Sequence, residues 1–153
     1  MDVTTLDMES LIPHRGVMRL VDRVLADDGE STRVEAIVRD DGPFVSDGVL
    51  ASWVGIELMA QAIAAWAGLR RLEKKEGVKL GFLLGSRRYE CDPAGFAVGT
   101  RLEVVVKQEI VSSQGLAVFA CTVHDGPKVV ASANVNVFQP DDVEGYLKEL
   151  LHA

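Results

Sequence analysis

One carboxylate, Glu57, sits inside the longest apolar run of the chain, Val49 to Leu69 (VLASWVGIELMAQAIAAWAGL). A carboxylate in apolar surroundings is costly unless it is paired or holds a proton, so an acid kept in such a run is a candidate for proton transfer. Glu57 is therefore the first site candidate. The candidate bases are few, since the only histidines are His14, His124 and His152. Cys91 and Cys121 lack metal-ligand spacing, which predicts two reduced, buried thiols and no metal site.

The run around Glu57 reads as a long buried helix reaching to about Glu76 and closed by Gly77. At 3.6 residues per turn, Ile56, Met59, Ile63 and Trp66 form a bulky face. Glu57, Gln61, Ala64 and Gly68 form a small, polar stripe that a second surface or a narrow ligand can approach, and spacing alone favours a dimer contact there over catalysis. Upstream, a short N-terminal helix, a turn between Pro13 and Gly16 and strands over Met18 to Ala26 and Ser31 to Val38 are expected, with a break at Asp40-Asp41-Gly42-Pro43. Downstream, Leu80 to Cys91, Thr100 to Val111, Leu116 to His124 and Lys128 to Phe138 read as four strands of an antiparallel meander. A short helix capped by Asp141 or Asp142 ends the chain. A sheet curled around the long helix would cover its apolar faces, an α+β arrangement.

With 153 residues, 48% hydrophobic and 25% charged, the chain fits one domain spanning 1–153. Its net charge of −7 argues against nucleic acid as a partner. Ser52, Glu57 and Gln61 interrupt the apolar run, so no membrane span is expected. The acidic N-terminus lacks the basic head of an export signal, which leaves a cytoplasmic location as the expectation. Positive charge is clustered locally at Arg70, Arg71, Lys74 and Lys75 and again at Arg87 and Arg88. Cations also favour helix C-termini for purely electrostatic reasons.

Several separated segments resemble the hotdog-fold 3-hydroxyacyl-[acyl carrier protein] dehydratases. Leu11-Ile12-Pro13-His14-Arg15 followed by Leu20-Val21-Asp22-Arg23-Val24 is similar to the family's "PHR, then LVDRV" signature. Gly55-Ile56-Glu57-Leu58-Met59-Ala60-Gln61 resembles its central-helix "EAMAQ" motif, and Gly81 to Gly85 and Gly99 to Leu102 resemble the strand and turn that follow. Trp53 to Leu69, Gly81 to Cys91 and Asn136 to Pro140 resemble more narrowly the dehydratase-like proteins of bacterial aryl polyene clusters.

The resemblance implies a sheet wrapped around a central helix, a homodimer or a heteromer with another hotdog subunit, and an acyl chain held at the subunit boundary. Acyl carrier protein is the implied partner. Its phosphopantetheine arm would carry the substrate, and no cofactor of the protein's own is expected. Removing water from a 3-hydroxyacyl thioester needs one group to take the proton beside the carbonyl and another to protonate the leaving hydroxyl. Carried over by position, Glu57 is the acid, the amides of Val54 and Gly55 are candidates for polarising the thioester carbonyl, and Gln61 is a candidate substrate contact. The family's histidine stands in an "HFPG" loop before the helix, whereas here Pro43-Phe44-Val45-Ser46-Asp47-Gly48 occupies that place. His14, Asp47 or a histidine from a partner subunit is then the candidate base. A non-catalytic carrier-binding subunit and a thioesterase using Glu57 to activate water are the alternatives. A carrier, itself acidic, would meet the chain at Arg70, Arg71, Lys74, Lys75, Arg87 or Arg88.

Overall fold

A computed structural model describes residues 2–74, 82–138 and 143–152. In chain order the elements are β1 (Arg23–Asp27), β2 (Ser31–Ile37), β3 (Val45–Ser46), β4 (Val49–Leu50), α1 (Gly55–Glu73), β5 (Phe82–Cys91), β6 (Phe96–Ala97), β7 (Arg101–Val111), β8 (Leu116–Asp125), β9 (Lys128–Phe138) and α2 (Val143–His152). The main sheet is antiparallel in the order β1-β2-β7-β8-β9-β5, and β3, β4 and β6 make a small second sheet.

Period-two alternation builds the concave face of the main sheet. Val34, Val104, Val123 and Ala131 align across β2, β7, β8 and β9. None of the four is more than 2% exposed. The neighbouring row is Thr32, Val106, Cys121 and Ala133, also buried. Alanines in β9 leave room for α1, which packs across this face against β2, β5, β7, β8 and β9. Leu58, Met59, Ala62, Ile63, Ala65 and Leu69 of α1 complete the core, and each Å² of apolar surface so removed from water contributes roughly 25 cal/mol.

Four expectations are corrected. The apolar run is not helical from its start: Val49 and Leu50 form β4, a short helical turn covers Ser52–Val54, and α1 begins at Gly55. A short, uncharged apolar run does not distinguish buried strand from buried helix. Here Asp47 and Gly48, both at positive φ (52° and 76°), make the tight turn that folds β4 back on β3. The first strand starts at Arg23 rather than Met18, because the backbone at Met18 and Leu20 is engaged by Gln61 of α1. The four later strands are not a simple meander, since β5 lies beside β9, with Phe82 opposite Phe138 and Cys91 opposite Ala131. The N-terminal helix is replaced by three-residue turns at Val3–Thr5 and Met8–Ser10, each capped by an aspartate, Asp2 and Asp7. Gly77, Pro140, Asp141 and Asp142 lie outside the described residues.

Candidate active site

Glu57 lies in the first turn of α1. Its Oε1 is 3.5 Å from His14 Nε2, and the two side chains are 33% and 29% exposed. The acid is thus partnered and open to solvent, in contrast to the expectation of a carboxylate enclosed by apolar groups. Residues 43 apart in sequence meet because the chain ahead of β1 is strapped along α1. Leu11 and Ile12 are fully buried. The approach depends on Gly68, where a Cβ would come within 2.3 Å of the Leu11 carbonyl oxygen.

Arg15 shapes the turn that presents His14. Its guanidinium donates to the carbonyls of Ile12 (2.7 Å), His14 (2.9 Å) and Glu9 (2.9 Å). Five N–H donors in a planar fork suit this multiple capture of backbone oxygens. Gln61, one helical turn after Glu57, is fully buried. Its Oε1 accepts from the Leu20 N–H at 2.8 Å, and its Nε2 donates to the Met18 carbonyl at 2.7 Å and to Glu57 Oε1 at 2.9 Å. The polar stripe of α1 is therefore covered over Gln61 and Gly68 by the protein's own N-terminal segment, which corrects the expectation of a dimer contact there. Gln61 is absorbed in this internal bonding and is not among the residues lining the cavity beside Glu57.

At the start of α1 the Val54 N–H donates to Ala51 O at 3.0 Å and the Gly55 N–H to Ser52 O, so both amides are engaged within the turn. Tyr89 of β5 closes over the same place, its hydroxyl donating to Ser52 O at 2.5 Å. Burial pushes the phenol well above the ordinary tyrosine range, with smaller upward contributions from Cys91 and an opposing one from the Gly55 backbone. The expected thioester contact at Val54 and Gly55 is thus occupied by the chain itself. Asp47 is exposed at the β3–β4 turn and neither lines the cavity nor caps α1, whose N-cap is Val54 without a side-chain bond.

A cavity of about 660 Å³ runs along α1 from His14 and Glu57. Ala60, Ala64 and Ala67 line it at helical spacing, and Ile63, Trp66 and Phe119 add bulk. From Glu57 to Arg71 this groove follows about 20 Å of helix at 1.5 Å per residue. Its small-residue wall suits a narrow, extended, apolar group.

The cationic cluster divides. Arg70 is ion-paired to Asp27, lies 3.3 Å from Glu73, donates to Gly29 O at 2.5 Å and stacks over Trp66 at 5.5 Å. Arg71 is only 6% exposed and donates to Leu11 O at 3.3 Å. These two hold the N-terminal segment and the β1–β2 turn to α1, and both also line the far end of the cavity. Lys74, Arg87 and Arg88 are exposed, and Lys75 lies outside the described residues. Arg88 takes φ 55° at an irregularity in the β5–β9 pairing.

His124 is half-buried and bonded to Thr122 at 2.8 Å, and His152 is exposed. Cys91 is half-buried and Cys121 buried, and both are free thiols. Among the described residues no cluster of His, Cys, Asp and Glu could hold a metal ion, and no helix is long and apolar enough to cross a membrane. Tyr89 carries no sequence signal of its position: it faces α1 only because β5 returns beside β9. Arg15 stands in the PHR motif, but its capture of three carbonyls is legible only once the turn is formed.

The antiparallel sheet around one long helix is the hotdog fold. The chain is similar at 14% identity to the E. coli PaaI protein from the phenylacetic acid degradation operon, over 75% of this chain and 80% of that one, with a TM-score of 0.57. It is similar at 21% identity to a Thermus thermophilus protein, over 86% and 94%, with a TM-score of 0.58. These two likenesses concern the fold alone. No curated protein matches the chain in sequence. The dehydratase heterocomplex ApeI:P from Xenorhabdus doucetiae is similar at 30% identity, over 97% of this chain and 99% of that one, with a TM-score of 0.87. Residues 6–148 match the model of the ApeP dehydratases. The chain belongs to the ApeP-like dehydratase family.

Proposed function

We propose that this protein is one subunit of a cytoplasmic hotdog heteromer that dehydrates 3-hydroxyacyl thioesters on acyl carrier protein during aryl polyene biosynthesis. The observation that carries the reading is the contact between His14 Nε2 and Glu57 Oε1, 3.5 Å apart at one end of a long, small-walled cavity. Family membership and the similarity to a complex described as a dehydratase heterocomplex support it.

In this reading Glu57 protonates the leaving hydroxyl, and the proton beside the carbonyl goes to a base. His14 Nε2 is turned to the Glu57 carboxylate, and its Nδ1 is buried without a bonding partner among the described residues, so neither ring nitrogen is turned to a free substrate position. The base is then best supplied by a histidine of the second subunit. A partner would pair along β5, whose outer edge carries no strand among the described residues. Lys74, Arg87 and Arg88 are the contacts for the carrier, and the phosphopantetheine arm belongs to that carrier.

One observation favours the non-catalytic alternative. Tyr89 occupies the N-terminal end of α1, where the thioester carbonyl would otherwise be polarised. The two readings separate on Glu57→Gln in the assembled heteromer, followed by mass-spectrometric detection of water loss from a 3-hydroxyacyl carrier protein. Loss of dehydration supports an active subunit. Unchanged dehydration supports a scaffold, and release of free carrier thiol would identify a thioesterase.

A further inference from the structure

Gln61 is held by two backbone groups whose roles are fixed. The Leu20 N–H can only donate, so the Gln61 atom facing it at 2.8 Å is the amide oxygen. The Met18 carbonyl can only accept, so the atom facing it at 2.7 Å is the amide nitrogen. Amide orientation is often ambiguous from shape alone, but here the backbone decides it. Nε2 has two hydrogens. One goes to Met18 O, and the other is left for Glu57 Oε1 at 2.9 Å. Oε1 is also the oxygen 3.5 Å from His14 Nε2. A carboxyl oxygen that accepts from a fixed amide donor is the acceptor of its pair.

We infer that Gln61 is a positioning residue that commits Glu57 Oε1 as an acceptor and leaves Oε2 as the oxygen that carries and delivers the proton. The inference rests on the reading of Glu57 as the acid. In the elimination, the C–H electron pair becomes the new C=C bond and its proton goes to the base. The C–O bond breaks, and the departing hydroxyl takes the proton from Oε2 and leaves as water. Glu57 is left as a carboxylate, which regains its proton when the base releases the one it took. Because Oε1 stays bonded to Gln61 throughout, the delivering oxygen does not exchange with its twin between turnovers. Gln61 itself touches no reacting atom.

The test joins an activity-independent readout to a kinetic one. In the folded protein, Glu57→Ala should shift only one of the two Gln61 side-chain amide proton resonances, the one aimed at Glu57, and leave the one aimed at Met18 in place. Both moving together, or neither moving, overturns the assigned geometry. In the heteromer, Gln61→Met should lower kcat by about tenfold to a hundredfold with KM within about twofold, as expected when a proton donor is misaimed but substrate binding is kept. If Gln61→Met does not fold, Gln61→Glu is used under the same criterion, since it keeps an acceptor for the Leu20 N–H. A folded variant with kcat within about twofold of wild type overturns the inference. Full activity of Glu57→Gln would instead overturn the role of Glu57 as acid, with the amide resonances still reporting the hydrogen bond.

Discussion

The hydroxyl of Tyr89 lies over Gly55 so closely that a Cβ on the glycine would come within 2.1 Å of it. β5 and the first residue of α1 are therefore fitted to each other through the absence of a side chain. Gly55→Ala should destabilise the fold by about 1–3 kcal/mol through overpacking. Combining it with Tyr89→Phe, which removes the clashing oxygen, should cost less than the sum of the two single changes. Chemical denaturation of the four proteins measures the coupling, and strict additivity would deny the contact.

Gly68 is the tighter constraint, because its neighbour is backbone. A Cβ would meet the Leu11 oxygen at 2.3 Å and its carbonyl carbon at 2.9 Å. A carbonyl strapped by Arg71 cannot rotate aside as a side chain does. Gly68→Ala should therefore cost at least the about 1–3 kcal/mol typical of overpacking and should increase amide exchange across residues 8–15. The same variant should lower activity, since that segment carries His14 to Glu57. Unchanged exchange there would contradict the strap.

Cys121 is expected to be silent at neutral pH. Burial pushes its thiol from 9.0 up to about 12, so it stays protonated and shielded where an ordinary cysteine reacts. Because the folded value is the higher one, this group's contribution to stability is complete below pH 9 and is lost as pH rises from about 9 to about 12. Alkylation at pH 8 followed by mass spectrometry should leave Cys121 unmodified until denaturant is added. Cys121→Ala should flatten the alkaline fall in melting temperature.

Arg87 and Arg88, exposed on β5, are predicted to carry the carrier contact, whereas Arg70 and Arg71 are engaged within the chain. Replacing both exposed arginines by glutamate should weaken binding of an acidic carrier protein and reduce its dependence on salt, with folding unaffected. Arg70→Ala should do the reverse, lowering stability through loss of the Asp27 pair and the Trp66 stack while leaving carrier affinity intact. Titration calorimetry at two salt concentrations separates the two effects.

The long helix, the three final strands and the acid at position 57 were legible because periodicity and a lone charge in an apolar run are local signals. Three local ambiguities misled. Val49 and Leu50 read equally well as helix or strand, and only pairing with Val45 and Phe96 decides them. Met18 to Leu20 looks like a strand, yet a side chain 41 residues away takes its backbone. Asp47 reads as a cap or a base by residue type, but its positive φ belongs to a hairpin tip. The meeting of His14 with Glu57 and of Tyr89 with Gly55 depends on long-range packing, for which a single sequence holds no pattern. His14 was visible as a candidate and not as a neighbour.

The most direct measurement is water loss from a 3-hydroxyacyl carrier protein followed by mass spectrometry, with this protein and its Glu57→Gln variant each assayed alone and with a histidine-bearing hotdog dehydratase subunit from the same genome. The account predicts dehydration by the mixture, little by this protein alone, and a fall of about a hundredfold or more on Glu57→Gln, in keeping with loss of a general acid. Equal rates for the wild-type and Glu57→Gln mixtures would contradict it.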